Sequence, residues 1–230
     1  MIHPPAMLDE DLVQGSEEWF SASAGHLGAS QIADALAKTK SGWGASRQAL
    51  MAQLICERLT GLPTTGYKSA AMQWGKDIEP EARLAYEMRR GLFVTRVGLI
   101  RHPTIAWTHA SPDGLVGDDG LVEFKCPESH THLGYLLAGR FPDRLRKQVD
   151  WQMACSGRQW CDLVSYDPRF PGHLQLMIMR IERDATVISE LEKDVRLFLA
   201  DIEAKIARLS LLDDTLRIDT LRNQLERSAS

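Results

Sequence analysis

Apolar positions recur along this chain with two different periods, and the change from one to the other divides it into helical and extended stretches. Leu50, Leu54 and Leu59 fall near helical spacing and Thr60-Gly61-Leu62-Pro63 stops the run, so a helix with one buried face is expected over 46–59. Residues 73–90 repeat that texture, although Pro80 lacks an amide proton and must either open a new first turn or kink the helix near Glu79. After Gly91 the short segments 93–95, 98–100 and 106–108 carry branched and aromatic residues and read as strands. Residues 114–125 predict two strands around Gly117-Asp118-Asp119-Gly120, because Asp-Gly between apolar runs is a strong hairpin signal. Helices are expected at 132–138 and 143–156, then strands at 160–166 and 174–181. Ile188, Leu191, Val195, Phe198, Ile202 and Ile206 recur every three or four residues, which predicts a long amphipathic helix over 184–209 whose stripe is core or interface. The last twenty residues fit either a docked helix or a frayed tail.

This order of elements predicts an α/β (α+β) fold with a mixed central sheet flanked by helices. With 230 residues, no internal repeat and no low-complexity linker, one domain over 1–230 is expected, with 1–12 and 211–230 as flexible or interface tails. No apolar run approaches the roughly 20 residues a membrane span requires, so a soluble protein without a membrane partner is expected. Residues 1–10 have no basic segment followed by an apolar stretch and do not read as a signal peptide. Cys56, Cys126, Cys155 and Cys161 are irregularly spaced and include no Cys-x-x-Cys, which argues for free thiols in a reducing cytoplasm and against a zinc or iron–sulfur set.

The formal net charge of −4 argues against a protein that merely coats nucleic acid, which would normally be basic. An enzyme that holds metal ions with carboxylates can still be acidic overall if its cations are clustered, and Arg140, Arg144, Arg146 and Lys147 form such a cluster. By default that run is a solvated face; beside a DNA channel it would bind phosphate.

The segment richest in chemistry is Ala110-Ser111-Pro112-Asp113-Gly114 followed by Leu121-Val122-Glu123-Phe124-Lys125-Cys126-Pro127. Strand side chains alternate faces, so Glu123 and Lys125 share one face while Val122 and Phe124 share the other. Pairing across the turn sets Asp113 opposite or diagonal to Glu123 and Phe124, with Cβ atoms about 4.5–8 Å apart. Two like charges about 4 Å apart repel by roughly 4 kcal/mol at an effective dielectric near 20. Lys125 supplies one compensating charge, and divalent metal would supply the rest. Magnesium accepts an octahedron of carboxylates, a main-chain carbonyl and water. Each residue taken alone is most often a solvated surface group and Asp-Gly alone is only a turn. Specificity comes from the ordered set: Pro-Asp, nine residues, then Glu-x-Lys in an apolar strand, with Glu79 on an upstream helix.

At these residues the chain resembles the PD-(D/E)XK nuclease superfamily, and more closely the phage lambda exonuclease or YqaJ viral recombinase family, over about 14–207. The family's landmarks are matched by Gln14-Gly15 with Trp19, Gly28-Ala29-Ser30, Trp74-Gly75 with Glu79, and Ser111 to Gly114. They continue with Glu123 to Pro127, Gln148-Val149 and Tyr166-Asp167-Pro168-Arg169. The resemblance implies a restriction-endonuclease-like core and a magnesium-dependent enzyme that degrades one strand of linear duplex DNA from an end, 5′ to 3′. It implies two magnesium ions, for which manganese can substitute, held by Asp113, Glu123, the Phe124 carbonyl and Glu79. Lys125 would serve the attacking water, Gln148 would lie near the catalytic centre, and Ser30 and Ser111 would hydrogen-bond a phosphate. It further implies a homotrimeric ring that threads duplex DNA, a single-strand annealing partner, and a phage or prophage origin in a bacterial host cell. The chain departs from the family where many members carry an arginine that grips the 5′-phosphate. Here Ser21-Ala22-Ser23-Ala24-Gly25-His26 has none, and Gly28 replaces a threonine. His26, Lys38 or Arg47 would have to take that part.

Other residues are more ambiguous. His109 could contact substrate, though a lone strand histidine is more often a packing residue. Trp74 and Trp151 could stack on bases of a melted end, though tryptophans on helices usually fill cores. Cys126 should face away from Lys125 as a small buried hydrophobe. The competing functions are an endonuclease of the same superfamily, a DNA-binding protein without catalysis, and a recombinase-loading module acting through the helix at 184–209.

Overall fold

The computed structural model describes residues 7–9, 12–40, 42–64 and 70–228, with side chains described over 12–40, 42–64 and 70–211. The chain opens with β1 (Met7–Asp9), α1 (Glu17–Ser23), β2 (Leu27–Gly28), α2 (Ile32–Ala35), β3 (Lys38–Thr39) and β4 (Gly42–Trp43). Two longer helices follow, α3 (Ala45–Thr60) and α4 (Ala70–Arg90), then β5 (Val94–Thr95), β6 (Leu99–Arg101), β7 (Thr108–Ala110), β8 (Gly114–Val116) and β9 (Gly120–Lys125). The second half comprises α5 (Ser129–Ala138), α6 (Asp143–Ser156), β10 (Trp160–Tyr166), β11 (Leu176–Glu182) and α7 (Ala185–Ser228). Among the described residues no helix is long and apolar enough to cross a membrane.

Local chemistry explains several boundaries. Ser16 caps α1 by accepting the Trp19 amide at 3.1 Å, with Glu17 and Glu18 in the positive first turn. α3 ends where Gly61 adopts φ +70° and its amide reaches the Glu57 carbonyl at 2.9 Å. α4 runs unbroken through Pro80, so the proline neither opens a separate helix nor ends one. The strand expected at 106–108 instead occupies Thr108–Ala110, because Trp107 takes φ +64° and makes the preceding residues a turn. The strand expected from 174 starts at Leu176, since Gly172–Leu174 form a 3-10 turn. α7 continues well past the expected end at 209, as helical backbone through Ser228. The expected N-terminal tail lies largely outside the described residues.

The extended segments divide between sheets instead of forming one. β11-β10-β9-β8-β5 is a five-stranded sheet, parallel only between β9 and β10, and β1-β6-β7-β2 is a separate four-stranded sheet. Pro112 lies between β7 and β8, where a residue with no amide proton ends one ladder before the next begins. The β8–β9 hairpin pairs Gly114 with Val122 and Val116 with Gly120 around Gly117, which has φ +52°.

The central strand β9 is covered on both faces. Val122 and Phe124 pack with Val164, Tyr166 and the α4 residues Ala82 and Tyr86. Leu121 faces the larger core, with Cys161, Leu163, Val149 and Met153. The parallel β9–β10 pair requires a crossover connection, supplied by α5 and α6. Every side chain of α6 from Gln148 to Cys155 is buried, because α6 packs on β6, β7 and β10 and is covered by α2 and α7. The α7 stripe Ile188, Leu191, Val195, Phe198 and Ile202 is buried against this layer as its period predicts, contributing about 1.5–3 kcal/mol for each side chain fully removed from water.

Candidate active site

A cavity of about 740 Å³ opens where the β8–β9 hairpin meets α4, α6 and the segment from α1 to the start of α2. Asp113, Glu123, Phe124, Lys125, Glu79, Gln148, Ser30, Ser111 and His26 all line it. Arg140 and Arg144 are exposed and Lys147 is half-buried, and none of the three borders this cavity. Arg146 is engaged with the buried Asp150 at 2.9 Å.

Carrying the hairpin register one residue beyond Gly114↔Val122 sets Asp113 opposite Glu123. Asp113 Oδ2 accepts the Phe124 amide at 2.6 Å, which ties the two strands together at the site. Asp113 Oδ1 makes no hydrogen bond among the described residues. Burial pushes the Asp113 carboxyl well above its usual range, with Glu123 and then Glu79 adding to the rise.

Glu123 is 3% exposed and held on both oxygens. Its Oε1 accepts from Lys125 Nζ at 2.7 Å and from Gln148 Nε2 at 2.6 Å, while Oε2 accepts from Gln152 Nε2 at 2.6 Å. Three of roughly four lone-pair positions are thus occupied and one remains. Burial opposes the charge on Lys125, yet Glu123 and Asp113 more than offset it and hold its pKa above the ordinary lysine value. In this arrangement its ammonium donates to Glu123 Oε1.

Two contributors were not identified from sequence. Gln152 lies four residues after Gln148, one helical turn along α6, so its spacing from the motif glutamine was the available signal. Arg83 lies four residues after Glu79 and bridges it to the hairpin, reaching Glu79 Oε1 at 3.3 Å and the Asp113 carbonyl at 3.1 Å.

The remaining predicted groups have defined places. Ser30 is exposed at the cavity wall. The Ser111 hydroxyl donates its one proton to the Gly98 carbonyl at 2.7 Å and accepts from Trp19 Nε1 at 3.3 Å, so a phosphate could take that proton only by displacing Gly98. Arg47 is committed elsewhere: it is 1% exposed, bonds Asp201 and the Ala35 carbonyl at 2.6 Å, and stacks on Trp43 and Phe198. Lys38 lies over Trp43 as well. Of the three proposed substitutes for the missing arginine, only His26 borders the cavity. Trp151 fills the core and bonds Thr108, and Trp74 is stacked under Arg169. All four cysteines are free, and burial raises Cys126 to about 12, in keeping with a packing residue.

No three His, Cys, Asp or Glu side chains among the described residues form a ready metal cage. The oxygens present nevertheless fit a hard divalent ion: an unpartnered Asp113 Oδ1, one open position on Glu123, the adjacent Phe124 carbonyl, and Glu79 on the cavity wall. The like charge that raises Asp113 is the electrostatic need such an ion would meet.

An Asp and a Glu-x-Lys on paired strands of a mixed sheet, with a carboxylate from a flanking helix, place the chain in the PD-(D/E)XK nuclease fold. The chain belongs to the YqaJ-like viral recombinase domain family, which matches residues 18–159. It is similar to an alkaline exonuclease from Laribacter hongkongensis, solved alone and in complex with dAMP. The two share 50% identity over 87% of this chain and 100% of that one, with a TM-score of 0.82. A phage-related exonuclease from Haemophilus somnus shares the fold at 13% identity, with a TM-score of 0.61 over 80% of this chain and 96% of that one. Among curated proteins none matches.

Proposed function

We propose that the chain is a divalent-metal-dependent exonuclease that hydrolyses one strand of linear duplex DNA from an end. The observation that carries this reading is the Asp113–Glu123–Lys125 cluster, a carboxylate pair with open oxygens beside a lysine kept charged. The solved relative's complex with dAMP supports release of single nucleotides. Magnesium, with manganese as a substitute, suits the oxygen donors; bound there it would polarise the phosphodiester and lower the pKa of a coordinated water.

The chain's own residues do the positioning. Gln148 and Gln152 fix Glu123 from both sides, and the Phe124 amide fixes Asp113. Arg83 anchors Glu79 against the hairpin. The Lys125 ammonium donates toward the attacking water or the developing negative charge, in a site shielded enough for that charge to count. Polarity from 5′ to 3′, a homotrimeric ring around the duplex, a single-strand annealing partner and a bacterial cytoplasmic setting are parts of the same proposal and rest on family resemblance.

The test is digestion of linear duplex and covalently closed circles, with magnesium or with EDTA, using separate 5′ and 3′ labels. Magnesium-dependent loss of the linear form alone, with the 5′ label released first, is expected. Cutting of circles would replace the reading with an endonuclease, and absence of any cleavage would leave a DNA-binding protein.

A further inference from the structure

Two short stretches of the sequence have no part in the chemistry of the carboxylates, Gln14-Gly15 before α1 and Trp74-Gly75-Lys76 in α4, and the fold brings them together. Met72, Gly75, Lys76 and Glu79 fall at helical spacing and all line the cavity, so one face of α4 forms part of its wall. Gly75 sets that face close to the end of β9, where a Cβ on it would stand 3.9 Å from the Cys126 carbonyl. Lys76 is exposed, and its ammonium reaches across to the segment before α1, to 3.6 Å from where a Cβ on Gly15 would lie. Gly15 has φ +86°, a backbone that favours glycine, and the exposed Gln14 beside it borders the same cavity.

The Lys76 ammonium and the Gln14 amide have no hydrogen bond or ion pair among the described residues. The cavity wall carries four carboxylates, Glu57, Glu79, Asp113 and Glu123, against two ammonium groups, Lys76 and Lys125. Lys125 is engaged by Glu123 at 2.7 Å. Glu79, three residues after Lys76, does not claim it, because its Oε1 is turned to Arg83 at 3.3 Å. The imidazoles on the wall, His26 and His109, are held at about 4 and about 3, chiefly by burial, and are neutral at physiological pH. Among the described residues Lys76 is thus the charged donor on the wall that is left for an arriving ligand, and it suits an anion.

We infer that Lys76 and Gln14 clamp one internal phosphodiester of the strand being degraded, the linkage next to the one that lies at Asp113 and Glu123. The identity of the ligand rests on the nuclease reading above. Three residues of helix separate Lys76 from Glu79, about 4.5 Å of rise. Phosphates of one strand recur about every 3.4 Å of duplex axis, so groups one helical turn apart address neighbouring linkages instead of sharing one. A phosphodiester carries a single charge, which one ammonium matches, and the Gln14 amide adds neutral donors beside it.

Such a clamp does two things. It offsets part of the repulsion that the four carboxylates exert on an entering strand, and it fixes the register in which the neighbouring linkage is presented to them. The contact is to backbone and reads no base, so its loss weakens binding alike for every sequence. Because each neutralised phosphate releases counterions, the charge of Lys76 is read directly in the salt dependence of binding.

The test is binding of a linear duplex to the full chain, followed by anisotropy across a salt titration in EDTA, so that binding is read apart from cleavage. Lys76→Met keeps an exposed helical position and removes the charge. It should bind about fivefold more weakly at low salt and flatten the slope of log K against log salt by about 0.7–0.9. Lys76→Arg should restore the parental slope, as a point contact to phosphate allows. Gln14→Ala should weaken binding by about twofold or more at an unchanged slope, because the amide carries no charge. Duplexes with a single methylphosphonate, which is neutral and nearly the same shape, at successive linkages from the end then locate the contact. One internal position should weaken the parent and leave Lys76→Met unaffected. A parental slope in Lys76→Met, equal methylphosphonate losses in both proteins at every position, or failure of the parent to bind DNA would overturn the clamp, and parental affinity in Gln14→Ala would remove Gln14 from it. A parent that cleaves DNA while Lys76→Met keeps its slope sinks the clamp and leaves the nuclease reading. A parent that shows the slope difference and cleaves nothing sinks the nuclease reading and leaves the clamp.

Discussion

Replacing Gln152 by methionine separates the hold on Glu123 from the stability of the fold. Gln152 Nε2 donates to Glu123 Oε2 at 2.6 Å, while its own Oε1 is buried with no partner. Methionine is close in length and volume and has no strong polar atom. Losing a hydrogen bond to a charged acceptor costs about 1.5–3 kcal/mol, and removing an orphaned buried oxygen recovers about 1–3 kcal/mol. The two effects nearly cancel, so unfolding free energy should change by less than about 1 kcal/mol. The site does not share this cancellation, because Glu123 Oε2 then has no donor among the described residues and the carboxylate can rotate. Losing an outer partner of a metal ligand commonly costs about 10–100-fold in activity or metal affinity, and a loss of that size is expected in Gln152→Met. Gln148→Met should lose less, since Oε1 keeps Lys125 at 2.7 Å. The assay is the initial rate of end-labelled duplex digestion across a magnesium titration, run beside urea unfolding of each variant. The reasoning fails if Gln152→Met keeps its rate and magnesium midpoint within about twofold, or if its rate loss is matched by a stability loss.

Lys125→Ala should abolish cleavage while leaving binding to DNA ends largely intact in gel-shift titrations; normal turnover would remove the role assigned to the lysine. Histidine titration should make the fold sensitive to acid: with folded pKa values of about 4 for His26 and about 3 for His109 against 6.5 unperturbed, the unfolded chain binds more protons below pH 6.5. Their effect is absent above that pH and destabilises progressively toward the folded values, by at most about 1.4 kcal/mol per unit for each group and less for the half-buried His26. Urea midpoints measured between neutral pH and about pH 5 should fall less steeply in His26→Gln than in the parent, and equal slopes would contradict the linkage. Gly114→Ala would set a Cβ 2.1 Å from Val94 Cγ1, and should lower stability by about 1–3 kcal/mol in thermal unfolding unless Val94 rotates clear. Light scattering should find a species three times the 25.8 kDa chain, and a monomer at micromolar concentration would refute the ring.

The parts of this architecture legible in sequence are those governed by local periodicity. Alternation from Leu121 to Lys125 put Glu123 on the face opposite Val122 and Phe124, and the three-to-four spacing from Ile188 to Ile202 marked the face that α7 buries. What local pattern does not encode is partner choice. The strands at 99–101 and 108–110 have the composition of their neighbours, yet they pair with β1 and β2 in another sheet, a long-range outcome with no local signature. The left-handed backbone at Trp107 was illegible for a related reason, since a bulky aromatic normally argues against a positive φ. Gln152 escaped notice because a glutamine on a fully buried helix looks like a misplaced polar residue until the carboxylate it faces is known.

The switch between sheets also explains why so short a stretch of chain supplies so much of the site. His109 ends in the four-stranded sheet, paired with Arg101, and Asp113 immediately precedes the hairpin of the five-stranded sheet. Ser111, between them, fastens the crossing with one bond to Gly98 and one from Trp19. Because Pro112 ends the first ladder there, the residues on its two sides are held by different sheets and border the same cavity from different directions. Cations and unpaired imidazoles gather on the side of the four-stranded sheet, and carboxylates on the side of the hairpin. Electrostatics favours that separation: the carboxylates and the cations would pair with one another if they shared a single strand face. Divided by a proline between two sheets, the two sets of charges border one cavity without sharing a strand face.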